Sequence, residues 1–192
     1  MPFSQVQAVE NIERTSDMQR FVQHMKGILS PAAAAGLLKD IQAELEKALA
    51  REIRSRVVDI KTRKEGLVVS LREVGFYDSG APAMRASSVD SIDRLAAVLA
   101  SRGENMRIEG HTDNVPIHNA HFPSNWFSTS RATELVKLFI YRYHFAPSRL
   151  SAAGYAEFHP VAQNTSADGR ARNRRVDIAI LTPPIPNRYQ HR

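Results

Sequence analysis

Apolar residues recur along this chain with two different periods, and the change from one to the other near residue 66 divides it. Between residues 32 and 53, Leu37, Leu38, Ile41, Leu45, Ala48, Leu49 and Ile53 return at three- and four-residue steps. Lys39, Gln42, Glu44, Glu46, Lys47 and Arg51 occupy the opposite side. This is the signature of an amphipathic helix. Ser30-Pro31 adds a capping residue followed by a proline at the first helical position. The narrow stripe has to be covered, either by the chain's own domain or by a partner chain. Upstream, Ile12, Met18, Phe21, Val22 and Met25 are only loosely helical in spacing, so residues 1–30 are a poorly defined segment.

From Gly66 onward, short β-branched runs alternate with helical periods. Leu67-Val68-Val69-Ser70-Leu71-Arg72 predicts a strand, and residues 75–82 a loop. Ser87 and Asp90 are spaced as a capping box. They open a helix whose core face is Ile92, Leu95, Ala96 and Leu99 and which stops near Gly103. Residues 106–113 predict a second strand that runs into a polar loop. A helix over residues 128–144 presents Ala132, Leu135, Val136, Phe139, Ile140 and Tyr143 at a helical period. Residues 149–154 predict a third, short strand. Arg175–Leu181 is a fourth, with Val176, Ile178 and Ile180 on one face. Pro183-Pro184-Ile185-Pro186 ends it, and residues 183–192 read as a loose tail. The order β-α-β-α-β-β predicts an α/β (α+β) two-layer sandwich, with two helices on one side of a mixed four-stranded sheet. That domain spans residues 66–182, after an amphipathic helix and linker at 31–65.

Composition narrows the picture without identifying the protein. With 43% apolar and 24% charged residues the chain resembles ordinary soluble globular proteins. It has no cysteine, which removes disulfide frameworks and thiolate metal sites and is compatible with an oxidising compartment such as the periplasm. The net charge of +6 is mild and spread over both parts of the chain. It would suit nucleic acid, anionic lipid or an acidic polymer equally well. No run approaches the ~18–20 apolar residues of a membrane span, and the N-terminus lacks the basic start and apolar core of a signal peptide.

Three polar clusters can carry chemistry. His111-Thr112-Asp113-Asn114 lies at the C-terminal end of the second strand, where open sheets commonly contact ligands. Asn125-Trp126-Phe127-Ser128-Thr129-Ser130-Arg131 opens the third helix. Gly169-Arg170-Ala171-Arg172-Asn173-Arg174-Arg175 leads into the last strand. His111 and Asp113, two apart on a strand and hence on one face, could ligate zinc with His118 and His121, but the spacing matches no zinc motif. Ser128, His111 and Asp113 could be named as a hydrolytic triad, yet no Gly-x-Ser-x-Gly elbow occurs. The arginines of the third cluster lack the interleaved aromatic residues of a nucleic-acid stacking platform. Neither a catalytic set nor a metal site nor a cofactor is therefore assigned.

Taken in order, His111-Thr112-Asp113, Phe127-Ser128-Thr129-Ser130-Arg131-Ala132, Gly154-Tyr155, Pro160 and Gly169-Arg170-Ala171-Arg172-Asn173-Arg174-Arg175-Val176 resemble the C-terminal peptidoglycan-binding domain of the OmpA family. Residues 115–126 resemble the MotB branch, the flagellar motor stators, with one residue fewer between Trp126 and Ser128. The resemblance implies a non-enzymatic domain that holds the peptide stem of peptidoglycan through diaminopimelate, whose side chain ends in an ammonium beside a carboxylate. On that resemblance Asp113 takes the ammonium, and Arg131 takes the carboxylate through a two-pronged pair. The N–H groups at the start of the third helix face the same anion, and Asn173 and Arg174 close the pocket. Thr112, Asn114, Asn125 and Ser128 complete the expected set. The MotB branch further implies a periplasmic location, a homodimer that the amphipathic stripe would serve, and a membrane channel partner of the MotA type. In that branch an N-terminal inner-membrane helix carries a proton-conducting aspartate. Without one, the chain is expected to be a periplasmic fragment or a shortened relative. A general wall tether of the OmpA or Pal type keeps the binding and drops the motor.

Overall fold

Five stretches of β-branched or alternating residues pair into one sheet: β1 (Val58–Arg63), β2 (Gly66–Arg72), β3 (Met106–His111), β4 (Leu150–Ala156) and β5 (Arg175–Leu181). Their order is β1-β2-β5-β3-β4. β2 pairs antiparallel with both β1 and β5, β5 pairs antiparallel with β3, and β3 pairs parallel with β4. The structure, a computed structural model, describes residues 31–116 and 124–182. The readings of residues 1–30, of His118 and His121, of much of the 115–126 insertion and of the tail at 183–192 lie outside them.

The sheet is mixed, as the pattern predicts, but has five strands rather than four. β1 occupies part of the stretch assigned to a linker. Its Val58, Ile60 and Thr62 alternate with Asp59, Lys61 and Arg63, the charge-studded pattern of an edge strand that discourages pairing with other chains. Directly behind a charged helix, that pattern reads as linker.

The helices are α1 (Pro31–Ala48), α2 (Ala50–Arg54), α3 (Glu73–Phe76), α4 (Val89–Ala100), α5 (Ser128–Tyr141) and α6 (Ala167–Asn173). Two of them were not foreseen, since α3 and α6 stand where loops are expected. α6 has a true cap, Ser166, whose hydroxyl accepts the N–H of Gly169 at 3.0 Å. The capping box expected at Ser87 does not form. A 3-10 turn at Ala86–Ser88 precedes α4, and Ser88 spends its hydroxyl on the carbonyl of Arg85.

Alternation along the strands sorts the sheet into two unlike faces. Val176, Ile178 and Ile180 of β5 lie beside Met106 and Ile108 of β3, all buried, on the face that carries α5. The same pairings put Arg175 and Asp177 beside Glu109 and His111 on the opposite face.

The stripe of α1 is covered inside the chain. Leu38, Ile41, Leu45 and Leu49 are all buried within the compact unit Leu38–Thr182. Burying each such side chain contributes about 1.5–3 kcal/mol. Leu37, Ala48 and Ile53 of the stripe are half-buried, so most of the face on which a dimer was expected is taken up within the chain. Ion pairs tie the segment to α4. Arg94 donates to the Ala48 carbonyl and to Glu52, Ser91 donates to Glu52 at 2.7 Å, and Arg102 pairs with Glu44.

Burial pushes the Glu52 carboxyl up, but the hydrogen bonds from Ser91 and Arg94 outweigh it and hold it below its ordinary 4.5. A depressed carboxylate gives stability that is complete above its unfolded value and fades as pH falls through the folded one. Glu52→Ala strands two donors and should cost about 1.5–3 kcal/mol in a denaturant titration at neutral pH. The difference from wild type should shrink below pH 4.5; an unchanged difference there would disconnect Glu52 from the docking of α1–α2.

Candidate functional site

Two glycines without side chains let a helix start directly on the sheet. Gly110 of β3 and Gly154 of β4 are register partners. A Cβ on Gly110 would stand 1.8 Å from the carbonyl oxygen of Ser128, and one on Gly154 would stand 1.8 Å from Thr129 Oγ1. The first turn of α5 fills that space. Ser128 locks it there, its Oγ accepting the N–H of Ala156 at 3.3 Å while the Ala156 carbonyl accepts the N–H of Thr112 at 2.9 Å. Ala156 has φ 47°, a left-handed conformation that costs a side-chain-bearing residue about 1–2 kcal/mol. It is held by bonds on both sides.

So placed, α5 delivers Arg131 to a pocket of about 640 Å³, where it meets Glu73, Tyr77, Asp113, Phe127, Arg170 and Arg174. Arg131 is only 4% exposed. Its guanidinium lies over the rings of Tyr77 and Phe127, at 4.9 and 5.0 Å from their centres. Nη2 donates to Glu73 Oε1 at 2.7 Å and to the Asp78 carbonyl, and Nε donates to the Ala81 carbonyl at 2.9 Å. The second oxygen of Glu73 accepts from Arg174 Nε, and Arg174 Nη1 donates to Asp113 Oδ2 at 2.6 Å. Asp113, Arg174, Glu73 and Arg131 thus form one continuous chain of alternating charge. Burial works against the Arg174 charge, but Asp113 and Glu73 outweigh it and raise its pKa.

The pocket is electropositive. Arg85, Arg131, Arg170 and Arg174 line it against Glu73 and Asp113. Arg85 is bound to Asp78 and to the Val74 carbonyl. Arg170 donates to the Asn164 carbonyl and pairs with no carboxylate among the described residues. Tyr77 is fully buried, and its hydroxyl has no hydrogen-bond partner among the described residues. Burial pushes that phenol well above its ordinary pKa, so it stays a neutral donor.

Of the expected residues, Asp113, Thr112, Arg131 and Arg174 line this pocket. Asp113 also makes a turn, with Oδ1 accepting the N–H of Val115 at 3.0 Å. Thr112 donates to the Asp113 carbonyl, and Asn125 Nδ2 reaches the same carbonyl at 3.3 Å. Ser128 is buried as a structural latch. Asn114 is exposed on the loop. Asn173 ends α6 rather than sitting on a loop. It is wholly buried, accepting from Val161 and Ala162 and donating to Ala162 and Asn164. It organises residues 161–164 and does not line the pocket.

Three local expectations are corrected. His111 does not share a face with Asp113, because β3 ends at His111 and Asp113 lies beyond the strand, lining the pocket instead. The free N–H groups are not at Ser128. A 3-10 turn at Asn125–Phe127 runs into α5, and the Ser128 N–H donates back to the Asn125 carbonyl. The arginine cluster is split: Arg170 and Arg174 face the pocket, whereas Arg175 turns to the other face beside Asp177. Glu73, Tyr77 and Arg85 are pocket residues the pattern did not single out, and Arg170 stood only as a member of the third cluster. Glu73 alone gave a signal, a carboxylate at the C-terminal end of an apolar strand.

Residues 76–174 match the OmpA family, and the chain belongs to that family. It is similar to motility protein B of Bacillus subtilis, at 35% identity over 146 residues, covering 75% of this chain and 56% of that protein. Among solved structures, the cell-wall anchor of the T6SS from Pseudomonas aeruginosa is 34% identical with a TM-score of 0.66, covering 72% of this chain and 97% of that one. A putative MotB-like protein from Desulfovibrio vulgaris is 26% identical with a TM-score of 0.65, covering 77% of this chain and 96% of that one. The chain spans about half the length of the curated relatives it matches. Among the described residues no helix is long and apolar enough to cross a membrane.

Proposed function

We propose that this pocket holds the peptide stem of peptidoglycan without catalysis, taking the zwitterionic end of diaminopimelate, and so anchors a flagellar stator of the MotB type to the cell wall. The observation that carries the reading is the chain of Asp113, Arg174, Glu73 and Arg131 in one electropositive pocket. Both acids there are already satisfied by Arg174. A ligand bearing only an ammonium would have to break that pairing, whereas a zwitterion can exchange partners. Its ammonium replaces Arg174 at Asp113, and its carboxylate is received by Arg174, by Arg170 and by the Nη1 edge of Arg131. Every charge stays paired, which is what a partly buried site requires. Arg174, 36% exposed at its side chain, is free enough to make the exchange.

Similarity to motility protein B supports the motor context. With it come a periplasmic location, an inner-membrane anchor in the parent protein, a channel partner of the MotA type and a two-fold pair of chains. A general envelope tether without a motor is the second reading, favoured by the likeness to a secretion-system wall anchor. Both require the same pocket.

Co-sedimentation with purified sacculi tests the pocket. Asp113→Asn and Arg170→Ala should each weaken binding at least about tenfold, as loss of one partner of a desolvated charge pair costs about 2 kcal/mol or more. Melting curves close to wild type would assign the loss to the ligand contact. Wild-type binding by both folded variants would remove the pocket from the account.

A further inference from the structure

Opposite the stem pocket, the second face of the sheet holds a buried polar cluster that the binding function leaves unused. His111 is 2% exposed, and neither of its ring nitrogens has a hydrogen-bond partner among the described residues. Nε2 lies 3.5 Å from Asp177 Oδ2 and 3.7 Å from Glu109 Oε2. Both contacts exceed the ~2.7–3.2 Å of a normal hydrogen bond. Leaving a buried imidazole unsatisfied is costly, and two buried carboxylates beside it sharpen the anomaly.

We propose that Glu109, His111 and Asp177 form a site for a divalent transition-metal cation of the zinc class. One donor atom from each residue lies within 4.8 Å of the other two. Bonds of ~2.0–2.2 Å in a tetrahedral shell place ligand atoms roughly 3.3–3.6 Å apart, so the two measured separations need only a slight contraction. The register builds this triangle. Glu109 of β3 stands opposite Asp177 of β5, and His111 follows two residues on along the same strand.

Neighbouring guanidiniums already orient both carboxylates of the set. Arg107 Nε holds Glu109 Oε1 at 2.6 Å, leaving Oε2 toward the histidine. Arg175 Nε contacts both oxygens of Asp177 at 3.1 Å, and Arg63 reaches Oδ2 at 3.4 Å. Metal-binding carboxylates are commonly oriented by such outer partners, although Oδ2 must loosen its hold on Arg63 and Arg175 as the cation enters. Three guanidiniums around a dication leave the site strongly positive. The fourth position, toward the groove between Arg63, Arg107 and His159, therefore takes hydroxide or another small anion.

Titration of the full chain with Co²⁺ and then Zn²⁺ tests the site. One equivalent of Co²⁺ should give the intense visible bands of a four-coordinate ion, and Zn²⁺ should displace it and raise the Tm. His111→Gln and Asp177→Asn should each weaken binding on the order of 100-fold or more, beyond the 10–100-fold loss typical of outer-shell changes. The two variants act independently, so misfolding of one leaves the other to decide. Changing His118 and His121 together to alanine should leave the spectrum intact. Absence of binding by wild type, or binding that survives Asp177→Asn, would overturn the proposal.

Discussion

Replacing Arg131 with alanine should cost about 3–5 kcal/mol of stability and abolish wall binding in the same variant. The magnitude follows from burial. Breaking a buried ion-pair network by removing one member is strongly destabilising, and here it leaves Glu73, whose side chain is 10% exposed, with Arg174 as its remaining partner. The substitution also frees the carbonyls of Asp78 and Ala81 and opens the space between the Tyr77 and Phe127 rings. Arg131→Lys keeps the charge but lacks the planar fork that bonds Glu73 and two carbonyls together. It should recover part of the stability and little of the binding. Urea titration and sacculus binding on the same preparations separate the two effects. Wild-type stability in Arg131→Ala would show that this arginine is a surface group and the described pocket is not its environment.

Gly110→Ala is the second large effect, and it acts without touching a ligand. The added methyl would overlap the Ser128 carbonyl, with oxygen at 1.8 Å and carbon at 2.4 Å. Backbone cannot rotate away as a side chain can, so the start of α5 must move and carry Arg131 with it. The expected loss is at the upper end of the ~1–3 kcal/mol typical of overpacked sites, together with weakened wall binding. Gly154→Ala meets the Thr129 hydroxyl instead and should be milder. Gly103→Ala, with nothing within 4 Å of the new atom, should be close to neutral and is the control. Equal stability of all three variants would contradict the close seating of α5 on β3 and β4.

What the residue pattern made legible is what periodicity and local chemistry determine. Leu67-Val68-Val69, the face Val176, Ile178 and Ile180, and the stripe Ile41, Leu45 and Leu49 each announce their element and their buried side. Helix ends were less visible because their stop signals are not glycines. α2 terminates through Arg56 at φ 59°, with the Val57 N–H donating to Glu52. The turn after α5 uses His144 at φ 57°, with Phe145 donating to Phe139. A non-glycine residue in that conformation carries no sequence flag. The predicted helix therefore ran on to His144, past its true end at Tyr141.

Asp113, Arg131 and Arg174 were found through the family resemblance, since nothing in their spacing brings them together. Glu73 joins Arg174 through strand pairing across the fold, where the Glu73 N–H donates to the Arg174 carbonyl. Adjacent charges also went to opposite faces. Arg174 enters the pocket while Arg175 turns away at the first residue of β5, and the end of β3 at His111 separates His111 from Asp113 in the same way. A run of polar residues in sequence is thus two sites in space.

The measurement that tests the central claim most directly is binding to sacculi that differ only at the third stem residue. Wild-type protein should pellet with diaminopimelate-containing sacculi and remain in solution with lysine-containing ones, because lysine supplies the ammonium for Asp113 but no side-chain carboxylate for Arg170 and Arg174. Equal binding to both would show that the pocket does not read the zwitterion, and the exchange of ion pairs proposed for it would be wrong.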